Sequence, residues 1–380
     1  MSPNEQQAMS PGELYLGLIS GTSMDGADAA LVSFDEGGCR VVAGHSTAFP
    51  ADLYLTVSNL VAQPTSVPSL DQLGELDTRL GHFFADAALG LLEREAVDAS
   101  SVIAIGSHGQ NIRHCPELAH PFTWQLGDPN VIVARTGITT VADFRRRDVA
   151  LGGQGAPLMP GFHKAVFAAA NEERAVVNLG GMANVTILPR AGDVLGFDTG
   201  PGNALMDIWS QAKRRKPFDE GGAWASQGRV HAGLLERFLD DPFFRKAPPK
   251  STGREYFNKR WIENGLFELT NWPSAEDVQA TLLELTARSI SDVISGTAPG
   301  TERVLLCGGG VHNRRLFERL IELMPGRIVQ PADEHGLASD WVEAAGFAWL
   351  ARQTLSGKAG NITAVTGARR PSILGGVYRA

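Results

Sequence analysis

The sequence predicts an α/β protein made of two related lobes. Its 380 residues, 43% of them hydrophobic, are enough to bury a sizeable core, and a chain of this length favours two domains. Residues 15–34 contain an apolar strand, a turn of small residues and a second apolar strand, and residues 174–188 repeat this pattern. Such weak internal repetition indicates two lobes that each present one hairpin turn to a shared cleft.

Charge and cysteine content exclude several classes of protein. The formal net charge of −8 would repel nucleic acids and anionic membranes, so we expect neither as a partner. Cys39, Cys115 and Cys307 are widely spaced and form no CxxC motif, which favours a reducing compartment. The sequence has no run of about 18 apolar residues, and its polar N-terminus lacks a signal-peptide core. We therefore expect a soluble cytoplasmic protein, with a homodimer compatible with the sequence.

Several helices and strands are predicted from their end signals. Ser69 and Gln72 form a predicted capping box for an amphipathic helix that reaches Leu91. Ser274 is the predicted cap of a helix over residues 278–294, and another helix is expected over residues 341–355. Residues 101–110 predict a strand that ends in a polar glycine loop, and residues 210–260 predict insertion-like loops.

The first turn, GTSMDGAD at residues 21–28, has the composition of a phosphate-binding loop. A Walker-type loop would need a lysine and a following helix, whereas this turn lacks the lysine and leads into a strand. We therefore expect Thr22, Ser23 and backbone amides to hold phosphate on a β-hairpin. Asp25 is expected to orient Mg²⁺ through water, and the alternative is an Asx turn without a ligand.

Glycine-rich turns follow three more apolar strands, at residues 180–181, 200–202 and 308–310. Each of these segments alone is compatible with an ordinary turn that binds no ligand. A helix follows the last of them, and this arrangement brings backbone amides and a helix N-terminus close to a nucleotide. Taken together, the turns predict that a nucleoside triphosphate binds between the lobes.

Asp198, in the segment GFDTGPGN, is the candidate general base. Its glycine and proline neighbours form a rigid turn that a substrate can approach closely, as general-base catalysis requires. The alternative is a turn-forming aspartate without a catalytic role. Arg145, Arg146 and Arg147 form a basic run that is either solvated surface or an anion clamp.

Two further groups of polar residues have alternative roles. The spacing of His108, His114, Cys115 and His120 fits no structural zinc pattern, and His108 is better suited to a substrate hydroxyl. Glu343 stands where a helix is predicted to begin, so it either compensates the helix dipole or contacts the substrate.

Six motifs, in unbroken order from about residue 14 to the C-terminus, resemble those of the anhydro-N-acetylmuramic acid kinase family. They are GLISGTSMDGADAAL, IGSHGQ, DFRRRDVALGGQGAPLMPGFH, FDTGPGNALMD, PKSTGREYFN and CGGGVHN. Because that family belongs to the actin and sugar kinase superfamily, the resemblance implies a two-lobed actin-like ATPase (ribonuclease H-like) fold with an ATP cleft between the lobes. We accordingly expect an N-terminal lobe of residues 14–141 and 350–380, and a C-terminal lobe of residues 142–349.

The resemblance implies an enzyme that opens the 1,6-anhydro ring of anhydro-N-acetylmuramic acid with water and transfers the γ-phosphate of ATP to O6. The products would be N-acetylmuramic acid 6-phosphate and ADP, formed during peptidoglycan recycling. The implied ATP contacts are Gly21, Thr22, Ser23, Met24, Asp25, Gly26, Ala27, Asp28, Asn178, Gly180, Gly181, Gly308, Gly309 and Gly310, with Mg²⁺ at Asp25. Asp198 becomes the base that activates water, and Glu343 a sugar contact near the anomeric carbon. His108, Gln110, Arg145 and Arg146 are further expected substrate contacts.

Three residues depart from the family pattern and leave the shape of the sugar pocket open: Val342, Gly346 and Gly161. The arginine that would hold the lactyl carboxylate is also open. Two rival functions are a plain sugar kinase that phosphorylates a free hydroxyl without ring opening, and an ATP-driven chaperone-like protein of the same fold. The second rival would need a peptide-binding domain, and nothing after residue 355 is long enough to form one.

Overall fold

The computed structural model describes residues 12–21, 26–35, 38–62, 68–267, 269 and 271–380. The strands are β1 (Glu13–Ser20), β2 (Gly26–Asp35), β3 (Gly38–Ala48), β4 (Val102–Cys115), β5 (Phe122–Leu126), β6 (Thr140–Ala142), β7 (Arg174–Leu179), β8 (Met182–Leu188), β9 (Leu195–Pro201), β10 (Arg303–Cys307), β11 (Ile328–Pro331) and β12 (Gly376–Tyr378). The helices are α1 (Ala51–Ala62), α2 (Leu70–Arg94), α3 (Pro129–Thr136), α4 (Arg146–Ala150), α5 (Met159–Phe167), α6 (Ala204–Arg214), α7 (Ala232–Leu239), α8 (Pro242–Arg245), α9 (Lys259–Phe267), α10 (Ala275–Thr297), α11 (Arg314–Leu323), α12 (Val342–Leu355) and α13 (Thr363–Thr366).

The strands form two sheets of the same topology. The first sheet has the order β12-β6-β4-β1-β2-β3, with β5 beside β4, and the second has the order β11-β10-β7-β8-β9. In each sheet three consecutive strands pair antiparallel, and two later strands are added in parallel at the side of the first strand. A duplicated sheet of this order confirms the predicted two-lobed α/β, actin-like fold.

Three hydrophobic clusters hold the sheets in place. One packs the outer face of the first sheet against α2, and another packs the outer face of the second sheet against α6, α7 and α10. The third lies between the sheets and includes buried residues of β1, β7, β10, α5 and α12. The two sheets therefore share a continuous apolar layer.

The predicted helix caps are confirmed. Ser69 Oγ accepts a hydrogen bond from the Gln72 amide at 3.1 Å, and Gln72 Oε1 accepts one from the Ser69 amide at 2.8 Å. The Asp277 amide donates to Ser274 Oγ at 3.1 Å, so the predicted helix begins at this cap and extends over Ala275–Thr297. Within the described ranges, no helix is both long and apolar enough to cross a membrane.

One loop prediction is wrong and a second is right only in part. Strand β4 does not end near residue 110 but runs to Cys115, because Gly109 takes a φ of 73° and lets the strand continue as the partner of β5. Residues 210–260 are not only loops, since they contain α7, α8 and the end of α6. Leu234, Phe238 and Phe243 bury these short helices against the second sheet's outer core.

Helix α12 packs against β1, β2 and β4 of the first sheet, so the predicted lobe boundary at residues 349 and 350 falls inside a single packed helix. Gly17 and Gly106 make this contact close. A Cβ atom at Gly17 would collide with the carbonyl of Ala344, and one at Gly106 with the carbonyl of Phe347. The division of the chain into lobes at these residues stays a prediction.

The close contact between β1 and α12 can be tested with alanine. We expect Gly17→Ala to lower the free energy of unfolding by about 1 to 3 kcal/mol, because neither backbone has room to move away. Gly74→Ala is the matched control, since Gly74 lies on α2 with open space around it; we expect it to stabilise by up to about 1 kcal/mol. Urea denaturation measures both, and a Gly17→Ala protein as stable as wild type would contradict this packing.

Candidate active site

Residues from both lobes meet around Glu343, at the start of α12. The side chain of Asn178, at the end of β7, hydrogen-bonds to Glu343. Burial raises the pKa of Glu343, that hydrogen bond lowers it, the charge of Asp28 raises it and the charge of Arg145 lowers it. Four predicted site residues, Asp28, Asn178, Arg145 and Glu343, therefore form one polar cluster between the sheets.

The two strands of the first hairpin, β1 and β2, border this cluster. Asp28 pairs with Ile19 across the hairpin, and Ser46 Oγ donates a hydrogen bond to Asp28 Oδ1 at 2.5 Å. Gln110, on β4, accepts a hydrogen bond from Ser20 Oγ at 2.6 Å and so supports the end of β1 just before the turn. Thr22, Ser23, Met24 and Asp25 lie outside the described residues, and their predicted roles stay predictions.

The other two predicted nucleotide loops lie against each other. The carbonyls of Gly180 and Gly181 accept hydrogen bonds from the amides of Asn203 and Gly202 at 2.9 and 3.0 Å, which fixes the second hairpin turn to the start of α6. Gly308 has a φ of 80°, and a Cβ atom there would collide with Asn178 Oδ1. Glycine is thus needed at residue 308 for conformation and for space.

Arg145 and His108 form a buried pair beside the cluster. Arg145 Nε donates to His108 Nε2 at 3.0 Å, and its Nη1 donates to the Gly155 carbonyl at 2.8 Å. Burial, reinforced by the charge of Arg145, holds the pKa of His108 well below its ordinary value, so the ring is neutral with its proton on Nδ1. A hydrogen bond from the ring to the Gly109 backbone raises this pKa and so opposes the effect of burial. His108 is therefore held by Arg145 and by the Gly109 backbone.

Arg146 is not part of this cluster. It is exposed, donates to the Thr123 carbonyl at 3.3 Å and lies 3.5 Å from Asp143. Of the predicted arginine run, only Arg145 is close to Glu343.

Asp148 anchors the loop that carries Arg145. Its side chain is fully buried; Oδ1 accepts hydrogen bonds from Asn361 Nδ2 at 2.7 Å and Thr366 Oγ1 at 2.8 Å, and Oδ2 accepts one from the Gly155 amide at 2.8 Å. Because Gly155 also accepts from Arg145, the carboxylate fixes the position of the arginine through one intervening residue.

Asp198 lies on β9 in a row of polar residues that crosses the second sheet. Asn178 pairs with Asn184, and Asn184 pairs with Asp198, so the three side chains point to the same face. At two strand spacings, Asp198 is roughly 10 Å from Asn178. The half-buried Asn184 therefore stands between the candidate base and the second hairpin turn.

A loop at residues 250–255 covers Asp198. The Asp198 amide donates to the Lys250 carbonyl at 3.0 Å, and the Thr252 amide donates to Asp198 Oδ2 at 2.9 Å. Burial raises the pKa of Asp198 to about 7; the Thr252 hydrogen bond lowers it, the charge of Glu255 raises it and that of Lys250 lowers it. A carboxyl group with this pKa is suited to exchange protons near neutral pH.

Sequence reasoning missed Asn184, Lys250 and Thr252 as site residues. Lys250 and Thr252 belong to the motif PKSTGREYFN, which served only for the family resemblance. Local sequence gave no signal for their contact with Asp198, because more than fifty residues of chain separate Thr252 from Asp198. Asn184 could have been found from the second hairpin, because its strand pairing follows directly from the turn.

The duplicated sheets and the polar cluster between them define a two-lobed α/β enzyme of the actin-like ATPase class. The family model for anhydro-N-acetylmuramic acid kinase matches residues 13–380. An anhydro-N-acetylmuramic acid kinase of Xanthomonas campestris is 52% identical over 370 residues, which cover 97% of both chains. One of Coxiella burnetii is 49% identical over 371 residues, 97% of this chain and 98% of the relative. The chain belongs to the anhydro-N-acetylmuramic acid kinase family, and it is a kinase.

Similarity to solved structures is more distant. The activator of 2-hydroxyisocaproyl-CoA dehydratase from Clostridium difficile, with bound ADPNP, is 12% identical with a TM-score of 0.45, covering 88% of this chain and 92% of that one.

Proposed function

We propose that the protein couples hydrolysis of the 1,6-anhydro bond of anhydro-N-acetylmuramic acid to phosphorylation of O6 by ATP, giving N-acetylmuramic acid 6-phosphate and ADP. The observation that carries this proposal is Asp198. Its pKa is about 7, and it lies in register with Asn178 of the second hairpin turn. A plain sugar kinase would also use a carboxylate, as the base that takes the proton of the acceptor hydroxyl. Ring opening is preferred here because the chain belongs to the anhydro-N-acetylmuramic acid kinase family, and Asp198 is then the base for the attacking water.

The reaction can be written with every bond accounted for. The Asp198 carboxylate takes a proton from water as the water oxygen bonds to the anomeric carbon. The bond between that carbon and O6 breaks with its electron pair on O6, which attacks the γ-phosphorus, and the pair of the broken phosphoanhydride bond leaves on ADP. The phosphoryl group captures O6, so the acid that ordinary inverting glycosidases use to protonate their leaving group is not required.

His108, Arg145 and Glu343 would position the sugar. Arg145 is suited to the lactyl carboxylate or to charge near it, and His108 holds Arg145 in place by accepting a hydrogen bond from its Nε atom at 3.0 Å. Glu343 would contact the sugar near the anomeric carbon. Support for these roles comes from their convergence around Asn178 and Glu343.

Mg²⁺ would neutralise charge on the transferring phosphoryl group when bound. Asp28 and Asn178 would hold such an ion: Asp28 brings a carboxylate near Glu343, and the buried Asn178 Oδ1 has no hydrogen-bond partner in the described part of the chain. These are oxygen donors, which Mg²⁺ prefers. Asp25 is retained as the proposed ligand through water.

We also infer a cytoplasmic role in peptidoglycan recycling. The family membership and the three free cysteines, Cys39, Cys115 and Cys307, support this assignment. A homodimer and the lack of a nucleic-acid partner stay predictions.

Phosphorus NMR of the protein with anhydro-N-acetylmuramic acid, ATP and Mg²⁺ tests the proposed reaction. We expect one new phosphomonoester resonance that grows in step with ADP and is absent when the sugar is omitted. Phosphorylation of ring-opened N-acetylmuramic acid, with the anhydro sugar untouched, would support the plain sugar kinase instead. Slow ATP hydrolysis that no sugar changes would support the chaperone-like protein.

A further inference from the structure

We propose that the loop at residues 250–255 sets the charge state of Asp198 through two opposed side chains, with Lys250 favouring the carboxylate and Glu255 opposing it. This inference rests on the proposed function, because it concerns the base that activates water. It assigns Lys250 and Glu255 as positioning residues that act through Asp198.

The backbone of the loop holds Asp198 on two sides. The Lys250 carbonyl accepts from the Asp198 amide at 3.0 Å, and the Thr252 amide donates to Asp198 Oδ2 at 2.9 Å. The two contacts come from residues only two apart, one to the backbone of Asp198 and one to its carboxylate. The backbone of Thr252 therefore lies within hydrogen-bond distance of the carboxyl group.

Lys250 is an unusual lysine, because only 8% of it is exposed. Its Nζ atom donates to the carbonyls of Phe243 and Phe244 at 3.3 and 3.4 Å and lies 4.7 Å from the centre of the Phe243 ring. Among the described residues it forms no ion pair within 4.0 Å, so carbonyl dipoles and an aromatic face hold its charge near Asp198. Burial lowers the pKa of Lys250, and the charge of Asp198 opposes this change.

Glu255 has the opposite sign and is exposed. A Cβ atom at Gly253 would collide with the Glu255 carboxylate, so this side chain folds back along the loop toward the segment that binds Asp198. Lys250 and Glu255 are the charged groups whose fields act on Asp198, and Lys246 acts on Lys250 in turn.

The loop is fixed from behind by Asp241. Its Oδ1 accepts hydrogen bonds from Tyr256 Oη at 2.8 Å and from the Phe243 amide at 2.9 Å, and its Oδ2 accepts one from Trp261 Nε1 at 2.8 Å. The Asp241 carboxylate thus binds two residues of this region. One is Phe243, whose carbonyl accepts a hydrogen bond from Lys250, and the other is Tyr256, which follows Glu255. The two opposed charges therefore keep a constant position relative to Asp198.

The pH dependence of kcat at saturating ATP and sugar tests this inference, with the substrates held constant so that their own ionisations cancel between variants. Asp198 must be ionised to accept a proton, so activity falls as pH drops through the pKa of the base. We expect Lys250→Met to move the acid limb up by about 0.5 to 1 pH unit, because a nearby positive charge is lost. We expect Glu255→Gln to move it down by about half a unit.

Matched control variants distinguish the effect of a lost charge on the pH profile from the effect of a disturbed fold. Lys250→Arg keeps the positive charge and is expected to hold the acid limb within about 0.3 pH unit of wild type. Glu255→Gln changes an exposed residue and keeps the protein testable if Lys250→Met does not fold. The inference would be overturned if the acid limb of the kcat profile did not move in folded Lys250→Met and Glu255→Gln. It would also be overturned if the limb moved in the same direction in both variants.

Asp198→Asn distinguishes the inference from the proposed function. If the residual activity of this variant keeps the acid limb, Asp198 is not the base and the proposed function fails at that residue. If the limb disappears in Asp198→Asn but stays in place in Lys250→Met and Glu255→Gln, only the role of the loop is wrong.

Discussion

Asp198→Asn is expected to lower kcat by about 10² to 10⁴-fold, because an amide cannot take the proton of the attacking water. The KM for ATP is expected to change little, since Asp198 lies two strands away from Asn178, a proposed ATP contact. Steady-state kinetics at pH 8, where the wild-type carboxyl is ionised, measures both quantities.

The same variant should be more stable than wild type at this pH. Burial raises the folded-state pKa of Asp198 from 3.8 to about 7, so the folded protein holds a proton that the unfolded chain has released. The wild type therefore loses stability as pH rises through this interval, and the neutral amide avoids that loss. We expect a higher Tm for Asp198→Asn at pH 8 and equal values near pH 4. A variant with normal kcat, whatever its stability, would remove Asp198 from the proposed role.

Asp148→Asn is expected to lower the free energy of unfolding by about 2 to 4 kcal/mol. The buried carboxylate accepts three hydrogen bonds, from Asn361, Thr366 and Gly155. An amide places a donor against at least one of these donors, at a site that is fully buried. Urea denaturation measures the loss, and the KM for the sugar is expected to rise because Gly155 no longer fixes Arg145.

Thr366→Val provides the matched control for Asp148. It removes one of the two donors to Oδ1 and leaves the carboxylate in place, so we expect a loss of about 1 kcal/mol and a nearly unchanged KM. If Asp148→Asn were no less stable than Thr366→Val, the carboxylate would not be the anchor of the Arg145 loop.

The parts of the fold that local chemistry determines could be predicted from the sequence. The capping box of Ser69 and Gln72 and the cap at Ser274 depend on residues three apart, and the structure confirms both. The hairpins could be predicted equally well, because a glycine-rich turn between two apolar strands needs no distant partner. The repetition of the hairpin then indicated the duplicated sheet.

Contacts between distant segments were beyond such reasoning. Strand β4 continues past Gly109 because β5 pairs with it. The residues near Gly109 give no local signal of that pairing. The place of α12 on the first sheet depends on Gly17 and Gly106, whose missing side chains make room for it. Lys250 and Thr252 reach Asp198 only after the chain has passed through α6, α7 and α8.

The origin of the anomeric oxygen tests the central claim of coupled ring opening most directly. The reaction is run in ¹⁸O-labelled water and sampled early by mass spectrometry, beside unlabelled N-acetylmuramic acid 6-phosphate kept in the same water to measure spontaneous exchange. The account predicts one ¹⁸O atom at the anomeric carbon, in excess of exchange, and none in the phosphate group. Product without label at the anomeric carbon, or with label in the phosphate, would contradict it.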